Sequence, residues 1–179
     1  MKKQRLNNLL GALALGLNDR VEDAIARDTG LHGSSVDALV LLSQAQALTI
    51  DALARQLMLV HSSAVRLAER MAQEGLVARE PGDDKRTVVL TLTEAGHDAV
   101  QQVLAARSAA IADLTRTLTS EQCAQLTPIC EQLVGALADD MQNAIRVCRL
   151  CDEDACDLRR CPSERAYRRF EAEREAGGR

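Results

Sequence analysis

The stretch TIDALARQLMLVHSSAVRLAERMAQEGLVAREPGDDKRTVVLTLT, Thr49 to Thr93, decides the fold. Thr49 caps a helix whose apolar residues Ile50, Leu53 and Leu57 fall at i, i+3 and i+7. A second helix begins near Ser62 or Ser63 and turns Val65, Leu67, Ala68 and Met71 inward. Gly75 supplies the left-handed residue that ends it. Val77 to Glu80 and Thr87 to Leu92 are β-rich runs on either side of Pro81-Gly82-Asp83-Asp84-Lys85-Arg86. Pro and Gly break the first strand, and so charged a tip must stand in water. Helix, turn, helix and charged hairpin together make a winged helix-turn-helix, a module that lays its second helix in the major groove of DNA.

The second helix has the side chains for that task. His61, Ser62, Ser63 and Arg66 occupy its first turns, where a recognition helix meets base edges. Serine hydroxyls and helix N-terminal amides hold phosphate oxygens, and an arginine at Arg66 can pair bidentately with guanine. Arg70, one turn on, is expected on phosphate or on acidic neighbours of its own helix. Lys85 and Arg86 at the hairpin tip suit the minor groove, whose negative potential attracts arginine, with Asp84 placed to orient Arg86. Any one of these residues alone would read as a solvated charged face; their joint order favours a DNA surface.

LTIDALARQL, SSAVRLAERMAQEGLV and EPGDDKRTVVLTLTEAG resemble, in turn, the first helix, recognition helix and wing of the MarR family of bacterial regulators. The family's D-x-R signature falls on Asp84 and Arg86. The likeness extends over Leu6 to Ile145, resting outside the central stretch on helix pattern. It implies an obligate homodimer, a pseudo-palindromic operator in double-stranded DNA, and repression relieved by a ligand or by thiol chemistry. The cysteine-rich end after Val147 departs from the family pattern.

Working outward, Leu6, Leu9, Leu10, Leu13, Leu17, Val21 and Ile25 recur at helical spacing. Gly11 and Gly16 weaken this first helix in isolation yet permit close approach of a partner. The basic, then apolar start resembles a signal peptide, but Asn18, Asp19 and Arg20 interrupt it. With no run of ~20 apolar residues there is no membrane span, and a cytoplasmic protein is expected. Gly30 to Ser35 breaks the chain; Ser34 or Ser35 should cap a helix carrying Val36, Leu39, Val40 and Leu42. His32 and His97 read as ordinary surface histidines.

Past the hairpin, Glu94 to about Leu118 forms a long helix, and Thr119 to Gln122 resembles a capping box. Thr127-Pro128 should break or kink the chain beyond it. Ile129, Leu133, Leu137, Met141 and Ile145 then make one apolar stripe, with Cys123 and Cys130 read as small hydrophobes. These helices carry more apolar surface than a small winged domain can bury, so packing across a two-fold axis is expected. The resulting fold class is mostly α with a small β-hairpin wing. Residues 1–30 and 94–147 would form the dimerisation region, 31–93 the DNA-binding domain and 148–179 a cysteine-rich tail.

In CRLCDEDACDLRRCPSER the four thiols of Cys148, Cys151, Cys156 and Cys161 are spaced C-x2-C-x4-C-x4-C. A reducing cytoplasm disfavours disulfides, so metal binding by four thiolates leads. A single compact loop with Pro162 after the last cysteine suits an iron–sulfur cluster; a tetrahedral zinc site and a metal-free redox switch are the alternatives. Arg146, Arg149, Arg159 and Arg160 would offset the thiolate charge. Coupling to DNA is expected through the last helix of the dimer interface, at whose end the cysteines begin.

Composition bounds this reading. Of 179 residues, 46% are hydrophobic, yet Tyr167 and Phe170 are the only aromatics, so the core is aliphatic. A formal net charge of −4 predicts weak non-specific DNA binding and a salt-sensitive specific contact. The sequence contains no nucleotide-binding loop and no catalytic Ser/His/Asp set, which argues against an enzyme. A MarR-type regulator with a purely structural zinc and a small-molecule effector remains open. So does an iron–sulfur electron-transfer subunit that uses the winged fold as scaffold, or a winged adaptor for protein.

Overall fold

The computed structural model describes residues 2–82, 84 and 87–177. The chain runs α1 (Lys2–Thr29), α2 (Ser34–Ala45), β1 (Ala47–Thr49), α3 (Ile50–Gln56), α4 (His61–Gln73), β2 (Val77–Pro81) and β3 (Val88–Leu92). Four helices complete it: α5 (Glu94–Thr115), α6 (Ser120–Leu137), α7 (Met141–Cys148) and α8 (Pro162–Gly177). This is a mostly helical winged helix-turn-helix with a small antiparallel sheet in the order β1-β3-β2. Sequence reading missed β1, a three-residue strand that pairs Leu48 with Leu90.

Local chemistry explains most boundaries. Thr49 Oγ1 accepts from Ala52 N at 3.1 Å and starts α3. Met58, left-handed at φ 54°, makes the turn into α4. That helix starts at His61, one residue before Ser62, with Val60 as its cap and no side-chain bond. The cap of α2 is likewise Gly33, at φ 60°, and not Ser34 or Ser35. Gly75 ends the recognition helix at φ 73°, as expected. Thr93 then ties α5 to the start of β2: its hydroxyl donates to Gly75 O at 2.6 Å and accepts from Gly96 N at 3.1 Å, while its amide donates to Leu76 O at 3.1 Å.

Two cores meet on α2. On one side Leu39 and Leu42 join Leu53, Met71 and Leu90, all fully buried within the winged module. On the other, Val36 and Val40 pack with Val21 and Ile25 of α1 and Val103 and Ala106 of α5. Burying each such aliphatic side chain contributes about 1.5–3 kcal/mol. The middle of α2 is buried nearly all round, so any movement of it is felt by both cores.

The later helices differ from expectation in two places. Pro128 lies inside α6 without breaking it. Thr127 Oγ1 bonds the Cys123 carbonyl at 2.9 Å, so one carbonyl beside the missing proline N–H keeps a partner. The break falls instead after Leu137, where Asp140 caps α7 by accepting from Asn143 N at 2.7 Å. Ile129 and Ile145 therefore belong to different helices. None of the α6 residues is buried in the single chain. Leu126, Ile129, Leu133 and Leu137 stand exposed, as do Leu6, Leu9, Leu10, Leu13 and Leu15 on α1. Cys130 is exposed with them, and Cys123 is half-buried. The tail forms α8, seated on α7 through Ala138, Ala144 and Ala166, with Tyr167 and Phe170 packed alongside.

Candidate nucleic-acid interface and cysteine cavity

The recognition helix is held by one face and presents the other. Ala64, Leu67, Ala68 and Met71 are buried beneath it. His61, Ser62, Arg66 and Arg70 are exposed, and Ser63 is half-buried. His61 Nδ1 meets Asp51 Oδ1 at 2.7 Å, joining the first turns of α4 and α3. Arg66 Nη2 rests on Ser63 Oγ at 3.1 Å, an exposed contact that a stronger partner readily replaces. Arg70 Nη2 donates to Ser35 Oγ of α2 at 2.9 Å, a contact the sequence did not announce. It braces the recognition helix against α2.

In the wing, β2 and β3 pair from Val77↔Leu92 to Pro81↔Val88. Gly82 N donates to Thr87 O at 2.8 Å, and Thr87 N to Asp84 O at 2.7 Å. Asp84 is exposed. Lys85 and Arg86, the cationic residues expected at the tip, lie outside the described residues. Arg79 on β2 approaches Glu69 of α4 at 4.0 Å.

The four cysteines of the tail come together. Cys148 ends α7, Cys151 closes a turn on it (Cys151 N to Cys148 O, 2.8 Å), Cys156 sits in an exposed loop, and Cys161 precedes α8. All four line one cavity of about 300 Å³ with Leu41 and Gln44 of α2, Gln56 of α3, and Ser163, Glu164 and Tyr167 of α8. Cys148 shares its thiol proton with Cys151, which together with burial pushes Cys148 up. The same hydrogen bond, helped by the Arg107 guanidinium, lowers Cys151 to about 7. Burial raises Cys156, and the nearby Cys161 thiol adds to that. Burial also raises Cys161, opposed by the backbone amides of Glu164 and Ser163 at the start of α8. By chemistry this donor set fits a thiolate-held metal group. Among the described residues, however, no three Cys, His, Asp or Glu side chains converge as ligands of one ion would.

Sequence reading missed how α7 and the cysteine turn are tied to α2 and α3. The Gln44 side-chain amide donates to both Cys148 O and Cys151 O, each at 3.2 Å. Arg149 Nε pairs with Asp37 Oδ2 of α2 at 3.1 Å. The Gln142 amide donates to Arg55 O of α3. A lone glutamine gives no sequence signal of such use.

Residues 33–88 match the sequence model of the MarR family. Over 119 residues the chain is 29% identical to the HTH-type transcriptional repressor MdtR of Bacillus subtilis, spanning 65% of this chain and 77% of that protein. The crystal structure of YusO from Bacillus subtilis superposes with a TM-score of 0.66 at 25% identity, covering 75% of this chain and 95% of that one. Sco3205 of Streptomyces coelicolor, a MarR family regulator solved in complex with DNA, shares the fold with a TM-score of 0.60 at 23% identity, covering 76% and 92%. No helix among the described residues is long and apolar enough to cross a membrane.

Proposed function

We infer that this chain, a winged-helix protein of the MarR type, is a DNA-binding transcriptional regulator and not an enzyme, and that it works as a homodimer whose hold on DNA responds to a group bound by four cysteines. The observation that carries the DNA reading is α4: one face buried in the winged core, the other offering His61, Ser62 and Arg66 to solvent. Ser63 and the first amides of α4, which no side chain caps, would hold phosphate, and Arg66 would read a base edge. Lys85, Arg86 and Asp84 would serve the minor groove. Arg70 would keep the helix at its angle through Ser35. Repression as the sense of regulation rests on likeness to MdtR, which is described as a repressor.

The unburied leucines of α1 and α6 support the dimer, since a second copy is the simplest cover for both stripes. Two subunits would place two recognition helices on successive half-sites of a pseudo-palindrome. For the tail, four thiols of one compact loop lining a single cavity, with Pro162 after the last of them, support an iron–sulfur cluster over a lone zinc ion. Such a group would supply a redox-sensitive cross-link between the end of α7 and the start of α8. Around it, Arg107 would offset thiolate charge and the first amides of α8 would hold Cys161.

The test begins with a DNA fragment selected by the purified protein from a random-sequence pool. Arg66→Ala should weaken retardation of that fragment about 5- to 150-fold, the value of one bidentate base contact. Unchanged retardation would remove Arg66 from base recognition, and failure to select any sequence would overturn the DNA reading. Metal and sulfide analysis of anaerobically purified protein decides the cofactor. Iron with sulfide supports the cluster, zinc makes the site structural, and neither metal rejects both.

A further inference from the structure

Where the cysteine turn touches the rest of the chain is not where its position in sequence suggests. It begins at the end of α7, yet its firmest contacts run to α2, the helix shared by both cores. Gln44 sits near the C-terminal end of α2, half-buried, with its amide nitrogen 3.2 Å from both Cys148 O and Cys151 O. Both partners are acceptors only, so the amide must present its NH2 to them, and its two hydrogens span the first C-x2-C turn. Two helical turns earlier on the same face, Asp37 of α2 holds Arg149 of the same cysteine turn. Ser35, at the other end of α2, takes the Arg70 guanidinium of the recognition helix. The cysteine turn and the recognition helix are thus braced on one rigid, buried element.

We propose that Gln44 is a positioning residue that latches the Cys148–Cys151 turn to the winged helix-turn-helix of its own subunit, so that occupancy of the thiol site is felt in α2 and α4 without passing through the dimer interface. This rests on the reading that the four cysteines hold a thiolate-bound group. With the group in place, the turn has one shape and offers both carbonyls to Gln44. When the group is lost or the thiols are modified, the two carbonyls no longer stay within reach of one amide, and α2 loses the brace. The Asp37–Arg149 pair is exposed enough to follow rather than lead.

The experiment is hydrogen–deuterium exchange on the full-length protein, stripped by chelator under reducing conditions and then reloaded with iron and sulfide or, in parallel, with zinc. Loading should slow exchange in residues 34–45 and 61–73 as well as in 148–161. Gln44→Met, close in volume but without donors, should load to the same metal content and keep the protection at 148–161, yet lose at least about fivefold of the loading-dependent protection in α2 and α4. Gln44→Lys, which retains N–H donors, should restore part of it. The latch is overturned if the wild-type α2 and α4 exchange equally fast loaded and stripped, or if Gln44→Met keeps their protection in full. If the wild type retains neither metal, the thiol-site reading fails by itself. N-ethylmaleimide on the four thiols then tests the latch: it should speed α2 exchange in the wild type and change nothing further in Gln44→Met. Equal acceleration in both proteins would reject it.

Discussion

Gly96 is the position where one added methyl group meets the least tolerant neighbour. A Cβ built there lies 2.1 Å from the Leu76 carbonyl oxygen and 3.2 Å from Leu92 Cδ2. Since such a carbon rarely comes within about 3 Å of a heavy atom, the first turn of α5 must retreat about 1 Å from the start of β2. That retreat pulls on the bonds of Thr93 to Gly75 O and Leu76 O. Losing two hydrogen bonds costs about 2 kcal/mol, and disturbed packing against Leu92 adds about 1–3 kcal/mol. The better helix propensity of alanine returns about 1 kcal/mol. Gly96→Ala should therefore destabilise the protein by about 2–4 kcal/mol. Urea unfolding monitored by far-ultraviolet circular dichroism, at one fixed protein concentration because the proposed dimer would unfold by mass action, measures it. A midpoint equal to or above wild type would mean that α5 is not clamped to β2 by this close approach.

Charges on the open stripe of α1 should dissolve the dimer. Leu9→Asp with Leu13→Asp removes side chains worth about 1.5–3 kcal/mol each when buried, and sedimentation analysis should show monomers; an intact dimer would place the interface elsewhere. In metal-free protein, Cys151 should react fastest with iodoacetamide. Its thiolate, stabilised by the Cys148 proton and by Arg107, forms as pH rises through about 7, so the rate should climb there and fall away below it. Mass mapping that finds Cys156 alkylated first throughout would contradict this. Thr119→Ala removes the hydroxyl half of a complete capping box, leaving Gln122 Oε1 on the backbone amide of that position, and should cost about 1 kcal/mol, read as a lower urea midpoint.

What the sequence made legible was whatever depends on close neighbours. Thr49, Thr93 and Thr119 announce their helices because a capping hydroxyl reaches an amide a fixed three residues on. Gly75 announces the end of α4 because few other residues tolerate its backbone angle. The cap of α2 was misplaced because Gly33 caps it without any side-chain bond. The strand β1 stayed hidden because three residues have no periodicity, and its partners lie some forty residues away at 89–91. Pro128 misled as to a break, because one missing donor does not end a helix whose residues continue on both sides of it. At the site, the exposed face of α4 was readable from spacing alone. That Arg70 would turn to Ser35, or Gln44 to the cysteine turn, depends on contacts 35 and 104 residues apart in sequence.

The aromatic poverty of this chain has a practical consequence. It contains no tryptophan and one tyrosine, and that tyrosine, Tyr167, stands in the wall of the thiol cavity beside α7. Ultraviolet emission from the native protein thus originates beside the four thiols, with the winged module and both leucine stripes dark. A chromophore seated there would quench it, so a cuvette and a titrant can follow occupancy of the site without any label being attached.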